Sequence, residues 1–303
     1  MKVLKINNDQ FSFFQSWNEL TEKQALKVAS LVQKVDFSQF SVLLFMEVFG
    51  LKVLKKEAEI INGLPCYYFK HGRNKKKLIG VEDVNFISKH FEVLFTTEED
   101  PKTGIKKYNI NSKLTKNLLK SFRLGFIRYY GPADAITNLK FSEYIHTETN
   151  YFNYYKHGTI EYLDKLISTI YRPKKKFHFI KHRLKNYDGD KRQVFNDFFI
   201  KQRSKKIARL SMDKKLLILW FYEGCRKFLK AQFPNLHAGG SSEEEGDTFG
   251  QFLKLINSLS GSDVTKNKQV REAYLYEVLV QMEQNAIAYK KHKEKIQEQK
   301  NKK

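Results

Sequence analysis

Cysteine is nearly absent from this chain. Its 303 residues hold two, Cys66 and Cys225, far apart and each among apolar neighbours. A disulfide framework needs more of them, and a zinc site needs them in close pairs. We therefore expect two buried thiols in a reducing compartment. Proline is almost as scarce, at five, which leaves long stretches free to form uninterrupted elements. No apolar run approaches the roughly 20 residues that cross a bilayer; the longest is Leu216 to Tyr222. Nor does an apolar segment follow Met1-Lys2-Val3-Leu4-Lys5, as it would in a secretion signal. The expectation is a cytoplasmic protein with no membrane association.

The usual catalytic signatures are missing too. There is no phosphate-binding G-x-x-x-x-G-K-[ST], no G-x-G-x-x-G, no G-x-S-x-G nucleophile elbow and no H-E-x-x-H. His178 and His182 are spaced to share a helix face and so to seat a metal. Their segment, however, reads as strand or loop, and the Lys and Arg around it repel a cation. Asp188-Gly189-Asp190 looks like a fragment of a calcium loop, but Arg192 and Phe199 stand where later ligands are needed, so it reads as a turn. We expect no enzyme, no metal and no cofactor.

Positive charge is what the chain has in excess. Fifty-five Lys and Arg against 33 Asp and Glu give +22. From Arg172 to Arg209 there are 14 Lys/Arg and three Asp, and from Lys290 to Lys303 seven Lys and two Glu. A clustered positive field attracts phosphate backbones, anionic membranes or acidic protein surfaces; a Lys-rich solvated shell is the plainer reading. The candidate basic docking surface comprises Arg172, Lys174, Lys175, Lys176, Lys181, Arg183, Lys185, Arg203, Lys205 and Lys206. Phe177, Phe179, Phe195, Phe198 and Phe199 are interleaved with it. Nucleobases stack on exposed aromatics, whereas the spacing of Val194 to Phe199 suits a helix that buries them, and burial is what we expect. Glu243-Glu244-Glu245 with Asp247, on a Gly/Ser-rich stretch, reads as a solvated loop or a dock for a basic patch.

Periodicity predicts a mainly α (α+β) protein. A small mixed α/β N-terminal part over 1–112 precedes a helical bundle over 113–289 and a charged, disordered tail over 290–303. In the first part, Val3 to Ile6 suits a strand. Thr21-Glu22-Lys23-Gln24 matches a capping box, and its helix carries Ala25, Val28, Ala29, Val32 and Val35 on one face. Phe40 to Val48 suggests a second helix. Asn62-Gly63 and Gly72-Arg73-Asn74 mark turns among short strands, Val84 to Leu94 suits a helix, and Glu98 to Gly104 a polar loop. Further on, Phe141, Tyr144, Ile145, Phe152 and Tyr155 share a face closed by Gly158, and Ile160 to Ile170 form the next. Residues 172–192 read as a loop or hairpin, and Val194 to Leu210 as a helix. A helix over Met212 to Gln232, with Ser211 as its cap, is apolar nearly all round at Leu216 to Phe221. Phe249 to Leu259 and a last helix from Leu275 complete the bundle. Its expected core is Leu216 to Phe221 against Leu163, Ile167, Phe195, Phe199, Leu275 and Leu279.

Several runs are familiar in combination: Tyr130-Gly131-Pro132-Ala133, Leu163-Asp164-Lys165-Leu166-Ile167, Tyr171-Arg172-Pro173, Trp220-Phe221-Tyr222-Glu223-Gly224-Cys225-Arg226, Phe233-Pro234 and Phe249-Gly250. In this order, over about 120–285, the chain resembles tail-module proteins of phages and prophages of Bacteroidetes. Genes for these often sit upstream of the tape-measure gene, where tail-assembly chaperones are expected. The resemblance implies a non-enzymatic assembly or structural factor that binds other proteins and shields a long helical partner. Nucleic-acid binding through 172–209 and the C-terminal tail is the alternative.

Overall fold

The computed structural model describes residues 2–6, 9–34, 43–44, 46, 52–53, 59–61, 64–71, 75–80, 93–99, 106–175, 187, 189–237 and 248–301. Several expectations lie outside that set: most of the second helix, the Asn62-Gly63 and Gly72–Asn74 turns, Val84 to Phe91, residues 100–104, Phe177 to His182, Asp188 and the 238–247 loop. The chain is mainly helical, with its strands gathered in small antiparallel sheets. It divides into two compact units, Met1–Leu114 with Met212–Glu223, and Thr115–Ser211 with Gly224–Lys303. Among the described residues no helix is long and apolar enough to cross a membrane.

In the first unit, strands β1 (Lys2–Ile6) and β2 (Asp9–Phe13) form a hairpin. Helix α1 (Glu22–Val32) follows, and its capping box is as expected: the Thr21 side chain accepts from the Gln24 amide, and the Gln24 side chain accepts from the Thr21 amide. Ala25, Val28 and Ala29 are buried, but Val32 is not. The next four strands are β3 (Lys52–Val53), β4 (Glu59–Ile61), β5 (Leu64–His71) and β6 (Lys75–Gly80). In their sheet, β5 is central: β3 and β4 pair along one edge and β6 along the other. Strands β7 (Phe95–Glu99) and β8 (Lys106–Ile110) pair as well, so Glu98 and Glu99 are in a strand where a loop was expected. The Trp17 and Trp220 rings meet at 5.5 Å, and the Ser112 hydroxyl donates to the Trp220 carbonyl. Trp220 comes from the run Leu216 to Phe221 predicted as core; Leu217 to Phe221 are buried and Leu216 is half-buried, but the run groups with this unit and not with the helices expected around it.

The second unit is built on a three-stranded sheet, β9 (Ser121–Leu124), β10 (Ile127–Tyr130) and β11 (Arg172–Pro173), in the order β11-β10-β9. Ile127 pairs with Leu124, so Gly125-Phe126 is a two-residue turn. Gly125 has φ 58°, the Gly-first arrangement that matches strand twist in a hairpin. Phe122 stacks on Tyr129 at 5.5 Å and on Tyr171 at 5.2 Å, gluing one face of the sheet to the core. Gly131 follows at a point of close approach: a Cβ there would lie 2.5 Å from both the Tyr171 ring and the Asn117 side chain. The Tyr171 hydroxyl donates to the Leu119 carbonyl at 2.7 Å, with Asn117 Oδ1 at 2.9 Å.

Helices α2 (Phe141–His157) and α3 (Ile160–Ile170) form where periodicity placed them, separated by Gly158 in the left-handed region. Their inner faces are narrower than expected. Phe141, Ile145, Leu163, Leu166, Ile167 and Ile170 are buried, whereas Phe152, Tyr155 and Ile160 reach solvent. Residues 172–192 close as a hairpin base: Lys174 bridges Arg192, the Lys175 amide donates to Lys191 and the Gln193 amide to Pro173.

The predicted helix from Val194 starts late. The Asn196 side chain accepts from the Phe198 amide and caps a 3-10 turn at Asp197–Phe199, and α4 runs only over Ile200–Ile207. A 3-10 turn has three residues per turn, so the phase that would have turned the phenylalanines inward is lost. Phe199 is 46% exposed and is no part of the core. Helix α5 (Met212–Gln232) has Ser211 at its cap position but no side-chain bond from it. Helices α6 (Thr248–Leu259) and α7 (Leu275–Asn301) complete the unit. The Glu283 carboxylate of α7 accepts from the Asn235 and Leu236 amides, capping the one-turn helix Pro234–His237. Residues 290–301, expected to be disordered, continue α7, exposed over 290–299.

Candidate functional site

The basic segment folds into two layers, and the side chains divide between them. Arg172 and Arg192 go inward, each 1% exposed. Arg172 Nη2 donates to Glu143 Oε1 at 2.9 Å, and its Nη1 lies 2.9 Å from Glu143 Oε2. Arg192 Nη2 donates to Asp190 Oδ2 at 2.7 Å, and its Nη1 lies 3.5 Å from Glu143 Oε2. Two cations thus meet two carboxylates. Their remaining N–H groups find carbonyls: Arg172 reaches Gln193 and Thr169, and Arg192 reaches Ile170 and Asn138. This is the condition under which buried ions are tolerated.

Burial opposes the charge on both arginines. At Arg192 the Glu143 and Asp190 carboxylates outweigh it and hold the guanidinium above its ordinary value. Arg172 is pushed down by burial, and the charge of Arg192 adds to that against the pull of Glu143. Both remain cations, since arginine does not deprotonate in proteins. Burial alone would raise the Asp190 carboxyl; the bonds and charge of Arg192, helped by Arg172, hold it below the usual range.

Arg203 also turns inward. Its Nη2 donates to the Asn196 carbonyl at 3.0 Å and its Nε to Phe199 at 3.4 Å, and burial, then the Arg172 charge, pulls its pKa down. Two of the ten expected docking residues, Arg172 and Arg203, are therefore interior and cannot dock anything. They hold the backbone of the 193–199 strip by the carbonyls of Gln193, Asn196 and Phe199.

The side chains of that strip consequently face out. Val194 is 80% exposed and Phe198 82%, and Phe198 meets Phe199 edge-on at 5.6 Å. Burial of these phenylalanines was the expectation, and the structure corrects it. Gln193 and Phe195 are half-buried, and the Phe195 ring lies 5.4 Å from His146 and 5.8 Å from the Arg172 guanidinium. His146 lies between Phe195 and Phe249, with Asp197 at 3.7 Å; burial lowers its pKa against the pull of Asp197.

Of the other expected residues, Lys174, Lys205 and Lys206 are exposed, and Lys175 is half-exposed over the Tyr187 ring. Lys176, Lys181, Arg183 and Lys185 lie outside the described residues. Over 191–209 the exposed charges are Lys191, Lys201, Lys205, Lys206 and Arg209 against Asp197 alone. Sequence reasoning missed Glu143, Asp190 and Arg192 as a unit. A carboxylate at Glu143, among the inward residues of an apolar helix face, was the available signal. Among the described residues no three His, Cys, Asp or Glu side chains group as metal ligands would. No family model, curated protein or solved structure matches the chain, so any functional reading rests on this geometry.

Proposed function

We propose that the protein is a non-enzymatic binding protein whose exposed 191–209 face binds nucleic acid. The outward strip Val194–Phe199 carries the reading: Phe198 stands 82% exposed within a stretch that shows five cations and one carboxylate to solvent. Lysines neutralise phosphates without reading sequence, and an exposed ring offers any unpaired base a surface to stack on. The test is binding to single-stranded oligonucleotides over a salt series. Charge reversal by Lys174→Glu, Lys205→Glu and Lys206→Glu should weaken binding for every base sequence and lower the salt slope by about 2. Unchanged affinity in that triple variant would sink the reading.

A second reading, tail assembly through protein binding, is favoured by α7. Leu275, Leu279, Met282, Ala286, Tyr289 and Ile296 follow a four-three spacing with only Lys293 interrupting it, the seam of a paired helix. The seam is buried at Leu275 and Leu279 and open at Tyr289 and Ile296. A long helical partner of the kind the tail-module resemblance implies would lie along it. Co-purification with a tape-measure-like protein, lost on Tyr289→Glu with Ile296→Glu, tests this; no complex from the unmodified chain would refute it.

A further inference from the structure

The β9–β10 hairpin carries a charge arrangement that the fold does not need. Arg123 and Arg128 are direct cross-strand partners, and both are exposed. They stand one step from the pair that flanks the turn, a non-hydrogen-bonded position where opposed Cβ atoms come within about 5 Å. Like charges opposed in this way destabilise a hairpin. Among the described residues no carboxylate pairs with either, and from Thr115 to Gly131 the sequence holds Lys116, Lys120, Arg123 and Arg128 and no acid. At the tip, Phe126 is fully exposed. The turn itself needs only Gly125, so the fold gains nothing from a ring there.

The other face of the hairpin is fixed by the Phe122, Tyr129 and Tyr171 stack. The arginine pair and the ring are thus presented on a firm support. An anion placed between the two guanidinium groups would turn their repulsion into two charge-assisted hydrogen-bonded contacts. A flat apolar surface next to that anion would cover Phe126. One polymer offers both groups side by side: single-stranded nucleic acid, with a phosphodiester for the arginines and an unpaired base for the ring. We propose that this hairpin is a nucleic-acid finger in which Arg123 and Arg128 clamp a backbone phosphate and Phe126 stacks on the neighbouring base. The finger rests on the nucleic-acid reading above but uses different residues from the 191–209 face.

The experiment measures fluorescence anisotropy of a short labelled oligothymidylate against the full chain over a salt series. Phe126→Ala should weaken binding roughly five- to 150-fold, the range for one lost base stack, with the salt slope unchanged. Arg123→Gln with Arg128→Gln should lower the slope by about 0.7, one phosphate contact on a single strand. The same double variant should unfold at the same temperature as the parent or higher, since it removes a repulsion; that result also shows that it folds. If the parent binds and both hairpin variants stay within twofold of it, the finger is wrong, and the Lys174/Lys205/Lys206 reversal judges the wider reading separately. If the parent binds only duplex, or only anionic vesicles, or inorganic phosphate displaces it as well as oligonucleotide does, the base-stacking assignment falls. If it binds no polyanion at all, both fall.

Discussion

Replacing Glu143 by glutamine keeps the shape of the side chain and removes one unit of charge from the interior of the second unit. The carboxylate takes 2.9 Å contacts from both Arg172 Nη atoms and a 3.5 Å contact from Arg192 Nη1. Glutamine supplies one acceptor in place of two and turns an amide donor toward a guanidinium. Two cations, each 1% exposed, are then left with Asp190 as their only carboxylate in the cluster. Removing one partner from a buried ion pair costs about 3–5 kcal/mol, a large part of the roughly 5–15 kcal/mol that holds a typical domain together. Urea unfolding followed by circular dichroism should show that loss, and thermal unfolding a midpoint lower by on the order of 10 °C. Glu272→Gln, which breaks the exposed pair with Lys268, should change nothing measurable. Adding Arg172→Met to Glu143→Gln should recover part of the loss, because the charge then left behind is smaller. An effect of Glu143→Gln within about 0.5 kcal/mol, the range of surface substitutions, would refute the view that the network is a closed unit of paired charges.

Gly131→Ala should destabilise by about 1–3 kcal/mol, because its Cβ would press on the Tyr171 ring; denaturant titration reads this, and a neutral result would mean that the ring can yield. Cys225 is buried, and burial, with Asp134 a lesser cause, pushes its thiol up. In a Cys66→Ser background, iodoacetamide should therefore leave the native chain unlabelled at mildly alkaline pH and label it in denaturant. Asp190 is held below its ordinary value, so the unfolded chain takes up that proton first. The stability it supplies is complete above the unfolded carboxylate range, near pH 4, and is lost as pH falls through the lower folded value. Asp190→Asn should flatten that part of the acid-unfolding curve, and an unchanged acid limb would count against the Asp190–Arg192 pairing.

How legible this architecture was depended on how local its causes are. The capping box of α1 and the glycine that closes α2 act within a few residues, and each left a readable pattern, whereas the β9–β10 hairpin lies in a stretch read as helical bundle and was not foreseen. The amphipathic stretch 160–170 and the apolar run within 212–232 were readable for the same reason. The inward turn of Arg172 and Arg203 was not. An arginine in a basic run looks the same whether water or a carboxylate awaits it, and the partner that decides the matter for Arg172, Glu143, lies on helix α2, distant in sequence. The outward turn of Phe198 was hidden by a smaller event: Asn196 caps a 3-10 turn before α4 begins, shifting the phase on which the helical reading relied. The Arg123–Arg128 opposition needed the register of two strands, which charge counting along the chain does not give.

Charges that are tolerable only together have a consequence for the order of assembly. Glu143 comes from α2, Arg172 from β11, and the locally paired Asp190 and Arg192 from the returning limb of the hairpin base, so no single local element completes the cluster. Shutting one away before the others arrive is unfavourable, and contacts between distant parts of a chain form late. The cluster should therefore close after the barrier to folding has been crossed. Weakening it would hasten escape from the native state while leaving the rate of reaching that state nearly untouched. In a kinetic unfolding series, the Glu143→Gln change should appear almost wholly in the unfolding arm. The same charges would then set how long the folded molecule lasts between openings.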